Sequence, residues 1–158
     1  MSTLTLLNEA DVGELLTLQR AAFALDVCVR YPGYTAPVTQ SLEELRDEIK
    51  NDQCIAIGLK ENSRLIGSIR IRRIDTSTIF LARLCIAPDR FGEGLAKKLM
   101  HSVDKYVAQY FPEAKRIEMT ADGTNTWLVN WYGSLGYEPF ERGTKTSPNE
   151  WRLARELS

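Results

Sequence analysis

The chain has 158 residues, of which 44% are hydrophobic and 26% are charged, a composition that predicts one globular domain burying about two thirds of its unfolded surface. Twenty basic residues against twenty-one acidic ones leave a net charge of −1, so no overall field attracts nucleic acid or an anionic membrane. No apolar run approaches the ~20 residues that span a bilayer, and no secretory signal pattern opens the sequence, so we expect a cytoplasmic protein.

The first third of the sequence predicts a short strand, a helix, a loop and a second helix. Leu4–Leu7 is apolar, and Asn8 can cap the helix that follows it, in which apolar residues recur at helical spacing. The stretch Ala24–Gln40 has no period, and a loop of that length in a compact domain is usually functional or mobile. Ser41 and Glu44 form a capping box that opens the next helix.

The middle of the sequence predicts three strands. Gln53–Leu59 and Arg64–Ile74 are rich in β-formers and are joined at Lys60–Ser63, which indicates a hairpin. The basic run Ile69–Arg73 predicts a solvated strand face. Thr78–Pro88 is apolar on both faces, which predicts a central strand that its proline ends.

The last third predicts a long amphipathic helix, a strand, a shorter helix and two final strands. They occupy Leu95–Tyr110, Arg116–Thr120, Asn125–Leu135, Tyr137–Arg142 and Trp151–Leu157. Gly136 fits the residue after the shorter helix, where glycine is favoured. The order of elements predicts an α+β fold of mixed α/β layers with a predominantly antiparallel sheet.

Cysteine and histidine usage gives no sign of a metal centre. Cys28, Cys54 and Cys85 are odd in number and lack paired ligand spacing, and His101 is the single histidine. Free thiols in a reducing cytosol are the simplest interpretation. A lone histidine also argues against a histidine-based catalytic triad.

Gly92 and Gly94 stand where the long helix must begin, although glycine costs about 0.5–1 kcal/mol relative to alanine inside a helix. A helix N-terminus carries unpaired N–H donors and the positive end of the helix dipole, so it favours an anion such as phosphate. The P-loop pattern is absent, and Lys97 stands where the dinucleotide fingerprint needs a third glycine. On the glycines alone, an ordinary strand-to-helix turn is equally consistent.

The stretch IAPDRFGEGLAKKLM, Ile86–Met100, resembles the signature of the GNAT superfamily of acyl-CoA-dependent N-acetyltransferases, in which [QR]-x-x-G-x-[GA] follows a strand and a proline. Gly94 and Ala96 fill its last two positions. Phe91 stands where the family has Gln or Arg, and Arg90 lies one place earlier.

A second segment, NTWLVNWYGSLGYEPF, is similar to another pattern of the same family, N-x-x-A-x-x-x-Y-x-x-x-G-[FY]. Asn125, Tyr132, Gly136 and Tyr137 fall on its spacing, whereas Leu128 occupies the position of a small residue. Two patterns in the family's order identify the chain as similar to this superfamily along its whole length.

The resemblance implies a single N-acetyltransferase domain over residues 1–158, with a GNAT-like fold of about six to seven mostly antiparallel strands in a twisted sheet and about four flanking helices. It implies acetyl-CoA as cosubstrate and no metal. The implied cofactor-binding residues are Leu84, Cys85, Ile86, Arg90, Phe91, Gly92, Glu93, Gly94, Leu95, Ala96 and Asn125. In the family, main-chain amides of the strand end hold the pantetheine arm, and those of the glycine turn hold the pyrophosphate.

The implied reaction is direct acetyl transfer, within a ternary complex, to a primary amine of a small molecule, amino acid or peptide. Tyr132 would be the general acid that protonates the leaving thiolate. The central strand carries no carboxylate, so Glu118, Asp122 or a water chain is left as the base. A covalent route through Cys85 would lack a histidine base.

The acceptor is expected to contact Arg83, if it is acidic, and Tyr31 and Tyr34 in the predicted loop. The resemblance allows a homodimer, and neither nucleic acid nor membrane is expected as a partner. Two other functions stay open at this point. One is a non-catalytic acyl-CoA-binding sensor or interaction module, and the other is an anion-binding fold without CoA. Tyr132 as a core tyrosine and Asn125 as a helix cap are the matching structural alternatives.

Overall fold

The computed structural model describes residues 1–24 and 35–157. Its strands are β1 (Thr3–Leu6), β2 (Cys54–Glu61), β3 (Arg64–Arg73), β4 (Thr78–Ile86), β5 (Arg116–Asp122), β6 (Glu138–Arg142) and β7 (Glu150–Glu156). The helices of the described residues are α1 (Val12–Ala24), α2 (Ala36–Thr39), α3 (Leu42–Lys50), α4 (Leu95–Tyr110) and α5 (Thr126–Ser134). Among these helices, none combines the length and the apolarity needed to cross a membrane.

The seven strands form one sheet in the order β1-β2-β3-β4-β5-β7-β6. β4 and β5 pair in parallel, whereas β1 with β2, β2 with β3, β5 with β7 and β6 with β7 pair antiparallel. The predicted α+β class and the mostly antiparallel sheet are therefore confirmed. By contact clustering the chain divides into two compact units, Met1–Arg72 with Ala82–Asp104, and Arg73–Leu81 with Lys105–Ser158. The single domain stays a prediction.

In the first unit, Asn8 caps a 3₁₀ turn, Glu9–Asp11, that leads into α1, and Ser41 caps α3. Asn8 accepts a hydrogen bond from the Ala10 N–H at 2.8 Å, and its own N–H donates to Asp11 at 2.9 Å. Ser41 and Glu44 exchange the two bonds of a capping box at 3.1 and 3.0 Å. Each cap satisfies donors that a helix end leaves unpaired.

β2 and β3 form the predicted hairpin through a two-residue turn. Glu61 pairs with Arg64, and the residues between them, Asn62 and Ser63, have φ of 50° and 68°. Positive φ at both central positions is the mirror-type turn whose twist matches that of the strands. The hairpin therefore places Glu61 and Arg64 side by side at its tip.

The predicted solvated face of Ile69–Arg73 is wrong at Arg70, which is 1% exposed. Its Nε lies 3.1 Å from a carboxylate oxygen of Glu48, and its Nη2 donates to the side-chain oxygen of Gln19. Gln19 is itself fully buried and donates to the Pro37 carbonyl at 2.8 Å. Burial lowers the pKa of Arg70, and these polar partners compensate a charge that would otherwise be costly to bury.

The predicted loop Ala24–Gln40 is wrong at Ala36–Thr39, which form the helical turn α2. Pro37 occupies its first turn, where the missing N–H costs nothing. Residues 25–34 of that loop lie outside the described residues.

In the second unit, β5 and β7 supply the buried face of the sheet. Ile117 and Leu153 are fully buried, and Ile79 of β4 joins them. The parallel register of β4 with β5 runs from Thr78 opposite Arg116 to Phe80 opposite Glu118. The predicted final segment is a strand, β7, as expected.

Candidate active site

The end of β4 is fixed against β3. The Ala87 N–H donates to the Ile66 carbonyl at 2.8 Å. A Cβ placed on Gly67 would lie 2.9 Å from Ile86 Cδ1 and 3.5 Å from the Cys85 carbonyl oxygen. Glycine at this position therefore lets β3 approach the last residues of β4 closely.

Arg83 interrupts the regular geometry of β4. Its φ is 55°, a left-handed conformation that costs a residue with a Cβ roughly 1–2 kcal/mol. Non-glycine residues in this region are uncommon and concentrate at functional sites. The interruption immediately precedes Leu84–Ile86, the segment whose amides the resemblance assigns to the pantetheine arm.

The turn after β4 owes its shape to two glycines. A 3₁₀ turn covers Pro88–Arg90 and Phe91 is extended, whereas Gly92 and Gly94 have φ of 83° and 77°. A Cβ on either glycine would meet no protein atom within 4 Å. Glycine is therefore required by the backbone conformation rather than by crowding, and the side of the turn that a Cβ would occupy is open.

Helix α4 begins directly at this turn. Its first hydrogen bond joins the Lys98 N–H to the Gly94 carbonyl at 3.2 Å, so the N–H groups of Leu95, Ala96 and Lys97 precede the helical ladder. Leu95 and Leu99 are buried and hold the helix start in place. The turn thus presents several main-chain donors and the positive end of a 16-residue helix.

Ion pairs surround the turn. Arg90 donates to Glu61 at 3.0 and 3.1 Å and to Glu93 at 2.7 and 2.8 Å, and the Arg90 hydrogen bonds lower the pKa of both carboxyls. Arg64 forms two hydrogen bonds with Asp89 at 2.7 and 2.8 Å. Arg90, a predicted cofactor residue, is therefore engaged with carboxylates, and the side chain of Phe91 is exposed.

In the second unit, Tyr132 lies on helix α5 and is 7% exposed. Burial and the nearby Tyr137 raise the pKa of Tyr132 to about 12. Its phenol is therefore protonated at neutral pH and can act as a proton donor. Gly136, with φ of 95°, ends the helix as predicted, and the Tyr137 N–H returns to the Tyr132 carbonyl at 3.1 Å.

Asn125 caps helix α5. Its side-chain oxygen accepts a hydrogen bond from the Leu128 N–H at 3.0 Å, and its carbonyl accepts the first helical bond from Val129. The structural alternative for Asn125 is thus confirmed. Its predicted role in binding cofactor stays a prediction.

Glu118 is held by two arginines. One carboxylate oxygen lies 2.8 Å from Arg116 Nε and the other 2.9 Å from Arg152 Nη2, and the residue is 9% exposed. Each carboxylate oxygen has two lone-pair sites, so these two ion pairs leave room for a further hydrogen bond from an amine or a water. Arg116 lies two residues before Glu118 on β5, where alternate residues share a face, so the sequence carries a signal for this pair. Arg152 lies 34 residues away in the chain, and only the pairing of β5 with β7 brings it close.

The remaining predicted residues are less informative. Burial raises the pKa of the Cys85 thiol to about 12, so it is not ionised at neutral pH. Tyr31, Tyr34 and Cys28 lie outside the described residues. Within residues 1–24 and 35–157, no group of three or more His, Cys, Asp or Glu side chains could hold a metal ion.

Comparison with known proteins points to one family. The model of the Acetyltransferase (GNAT) family matches residues 20–137. The PaiA N-acetyltransferase of Thermoplasma acidophilum, solved in complex with coenzyme A, is 18% identical, with a TM-score of 0.80 over 99% of each chain. The ribosomal-protein-S18-alanine N-acetyltransferase of Escherichia coli is 16% identical, with a TM-score of 0.75 over 100% of this chain and 95% of that one.

The curated UPF0157 protein YqkA of Bacillus subtilis (strain 168) is 24% identical over an alignment of 136 residues that covers 81% of this chain and 38% of the relative. The chain thus spans well under half the length of this relative. The two structural likenesses confirm the GNAT-like fold, and the family model covers most of the sequence. The chain therefore belongs to the acetyltransferase (GNAT) family.

Proposed function

We propose that the protein is an N-acetyltransferase that moves the acetyl group of acetyl-CoA to a primary amine of a small molecule, amino acid or peptide. The observation that carries the proposal is the turn at Gly92 and Gly94. There, positive φ, an open side and the unpaired amides of α4 combine in one place. Such a turn suits a diphosphate, because main-chain donors and the helix dipole both favour an anion.

The residues of this turn fit coenzyme A. We assign the diphosphate to the amides of Phe91, Gly92, Glu93, Gly94, Leu95 and Ala96, and the pantetheine arm and thioester oxygen to the amides of Leu84, Cys85 and Ile86. Acetyl-CoA supplies the acetyl group in activated form, as a thioester. An amide that donates to the developing oxyanion is worth roughly 3–4 kcal/mol. We also propose that Asn125 contacts the cofactor.

Direct transfer is supported by the state of two side chains. The raised pKa of the Cys85 thiol leaves almost no thiolate for a covalent route. Tyr132 keeps its phenolic proton at neutral pH, and we assign it the role of donating that proton to the departing sulfur. A general acid of this kind contributes about 10²–10⁴-fold to the rate.

The acceptor amine must be neutral to attack, and a lysine-like amine has a pKa of ~10.4. We propose Glu118 as the base that removes its proton, directly or through water. Asp122 and a water chain are the alternatives. Arg83 is proposed to contact an acidic acceptor, and Tyr31 and Tyr34 to line the acceptor pocket.

The test is thiol release from acetyl-CoA in the presence of a panel of small amines, amino acids and peptides. The panel includes a peptide with N-terminal alanine, because one relative of similar fold acetylates an alanine of ribosomal protein S18. We expect at least one acceptor to give thiol release and an acetylated product by mass spectrometry, and the Tyr132→Phe variant to release thiol at least ten-fold more slowly. If CoA binds tightly and no panel member is acetylated, the non-catalytic acyl-CoA sensor replaces this proposal.

We further propose a single domain, a cytoplasmic location and a homodimer, with no metal, nucleic acid or membrane partner. The dimer rests on the family resemblance alone. Light scattering of the purified chain tests it directly, since a monomer mass at micromolar concentration would contradict it.

A further inference from the structure

We propose that the tip of the β2–β3 hairpin braces the glycine turn in its binding geometry, and that Glu61 and Arg64 are positioning residues for coenzyme A. We use "hairpin tip" for Glu61–Arg64 and "glycine turn" for Phe91–Leu95. The inference rests on the proposed function, and it assigns a role to two side chains that lie outside the family signature.

Two ion-pair links run from the hairpin tip to the segment that enters the glycine turn. Both carboxylate oxygens of Glu61 accept from Arg90, at 3.0 and 3.1 Å. Both terminal nitrogens of Arg64 donate to Asp89, at 2.7 and 2.8 Å. Bidentate pairs fix orientation as well as distance, so each link restrains the 3₁₀ turn in more than one direction.

The first link continues into the glycine turn itself. Arg90 also donates to Glu93 from Nε at 2.7 Å and from Nη2 at 2.8 Å. Glu93 lies between the two glycines with positive φ. The side chains of Arg90 and Glu61 are 20% and 26% exposed, whereas that of Glu93 is 43% exposed, so solvent screens the Glu61–Arg90 pair less than the Arg90–Glu93 pair. A chain of contacts, Glu61 to Arg90 to Glu93, therefore ties the hairpin tip to the middle of the glycine turn.

The hairpin tip is itself well defined. Its two-residue turn fixes the register in which Glu61 stands opposite Arg64. The negative Glu61 and the positive Arg64 then face the positive Arg90 and the negative Asp89, which are consecutive in the chain. The reverse pairing would place like charges together, so the match also selects one placement of the turn.

A brace is useful here because glycine makes the turn conformationally free. Gly92 and Gly94 reach positive φ without strain, but glycine also loses the most conformational entropy when it is ordered. A turn ordered before the ligand arrives avoids that loss on binding, which raises affinity. Four of the five N–H donors of Arg90 are already directed at carboxylates, so its contribution to diphosphate binding is to place the amides.

The experiment compares Glu61→Gln with the matched control Lys60→Met. Lys60 is the neighbouring residue of β2 and forms its own ion pair, with Asp11 at 2.7 Å, away from the glycine turn. We measure the CoA dissociation constant by calorimetry and the amide hydrogen exchange of residues 91–97. A thermal melt of each variant reports whether the fold is intact.

We expect Glu61→Gln to weaken CoA binding about three- to five-fold, the range that an incompletely exposed ion pair supports, and to speed exchange at residues 91–97. Lys60→Met should leave both unchanged. Arg64→Gln removes the other link, whose side chains are 51% and 59% exposed, and should change affinity and exchange in the same direction but less. This second variant keeps the proposal testable if Glu61→Gln folds poorly. Wild-type CoA affinity and exchange in both Glu61→Gln and Arg64→Gln would overturn the brace. Failure of the wild-type chain to bind CoA would instead overturn the proposed function.

Discussion

Substitution of Gly94 tests whether glycine is needed for its positive φ, because a Cβ at this position would meet no protein atom. The φ of 77° at Gly94 is unfavourable for any residue with a Cβ, whereas a Cβ there would touch no protein atom. Valine is β-branched and tolerates this region worst, alanine is intermediate, and asparagine is among the residues that adopt it most readily. Gly94→Val, Gly94→Ala and Gly94→Asn therefore form a graded series.

Gly94→Val can either lower stability or weaken CoA binding, depending on whether the backbone of the turn keeps its conformation. If valine keeps the native backbone, strain of about 1–3 kcal/mol lowers stability, which corresponds to roughly 3–9 °C in melting temperature for a domain of this size. If the backbone of the turn changes conformation instead, its N–H groups no longer point at the diphosphate. A hydrogen bond to a charged group is worth about 1.5–3 kcal/mol, so losing one weakens CoA binding about ten- to hundred-fold.

Calorimetric titration with CoA measures the affinity, and a thermal melt checks folding. Gly13 provides the control, because its Cβ would also meet nothing within 4 Å while its φ is not positive. Gly13→Ala, inside helix α1, should be neutral or slightly stabilising and should bind CoA normally. We expect Gly94→Val to bind worst and Gly94→Asn best of the three variants. Folded Gly94→Val that binds CoA as tightly as the wild type would refute the reasoning.

Four further predictions concern side chains. Tyr132→Phe should lower kcat at least ten-fold with little change in CoA affinity. Unchanged turnover of Tyr132→Phe would show that Tyr132 takes no part in the reaction. Because the pKa of Tyr132 is raised to about 12, the phenol stays protonated as pH rises, and the part of the rate that depends on Tyr132 should not fall between pH 6 and 10. Glu118→Gln should lower kcat at least ten-fold at pH 7 and less at pH 10, where about a quarter of a lysine-like amine is neutral without a base; an equal loss at both pH values would indicate a structural role. Cys85→Ala should keep turnover within about three-fold of the wild-type value, since a buried thiol with a pKa of about 12 supplies no nucleophile. Loss of turnover in folded Cys85→Ala would support a covalent mechanism through Cys85. Glu48→Met leaves the buried guanidinium of Arg70 without its carboxylate and should cost about 3–5 kcal/mol of stability in a denaturant titration. The exposed Arg46, 4.0 Å from Glu9, should cost under about 0.5 kcal/mol as Arg46→Met; similar losses would contradict the buried ion pair.

Features encoded by neighbouring residues could be predicted from the sequence. The caps at Asn8 and Ser41, the hairpin turn before Arg64 and the helix end at Gly136 each depend on residues within five positions of one another, so their signals are local. The two glycines at the start of α4 belong to the same class. Positive φ at a helix start leaves a mark in the sequence because few residues other than glycine tolerate it.

Features that depend on strand pairing could not be predicted in this way. Arg70 has the same local pattern as a solvated strand residue, and only its packing against Gln19 and Glu48, from two different helices, puts it in the core. The contact of Arg152 with Glu118 and the contact of Glu61 with Arg90 likewise join distant parts of the chain. Charged side chains in a sequence carry no mark of their partners, so these contacts become visible only in the fold.

The central claim is that main-chain amides at the start of α4 bind the diphosphate of coenzyme A. Titration of ¹⁵N-labelled protein with CoA, followed by amide chemical shifts, tests it at the atoms concerned. We expect the largest downfield amide-proton shifts at Gly92, Gly94, Leu95 and Ala96, and we expect that pantetheine, which lacks the diphosphate, does not reproduce them. Saturable CoA binding that leaves these four amides unmoved would contradict it.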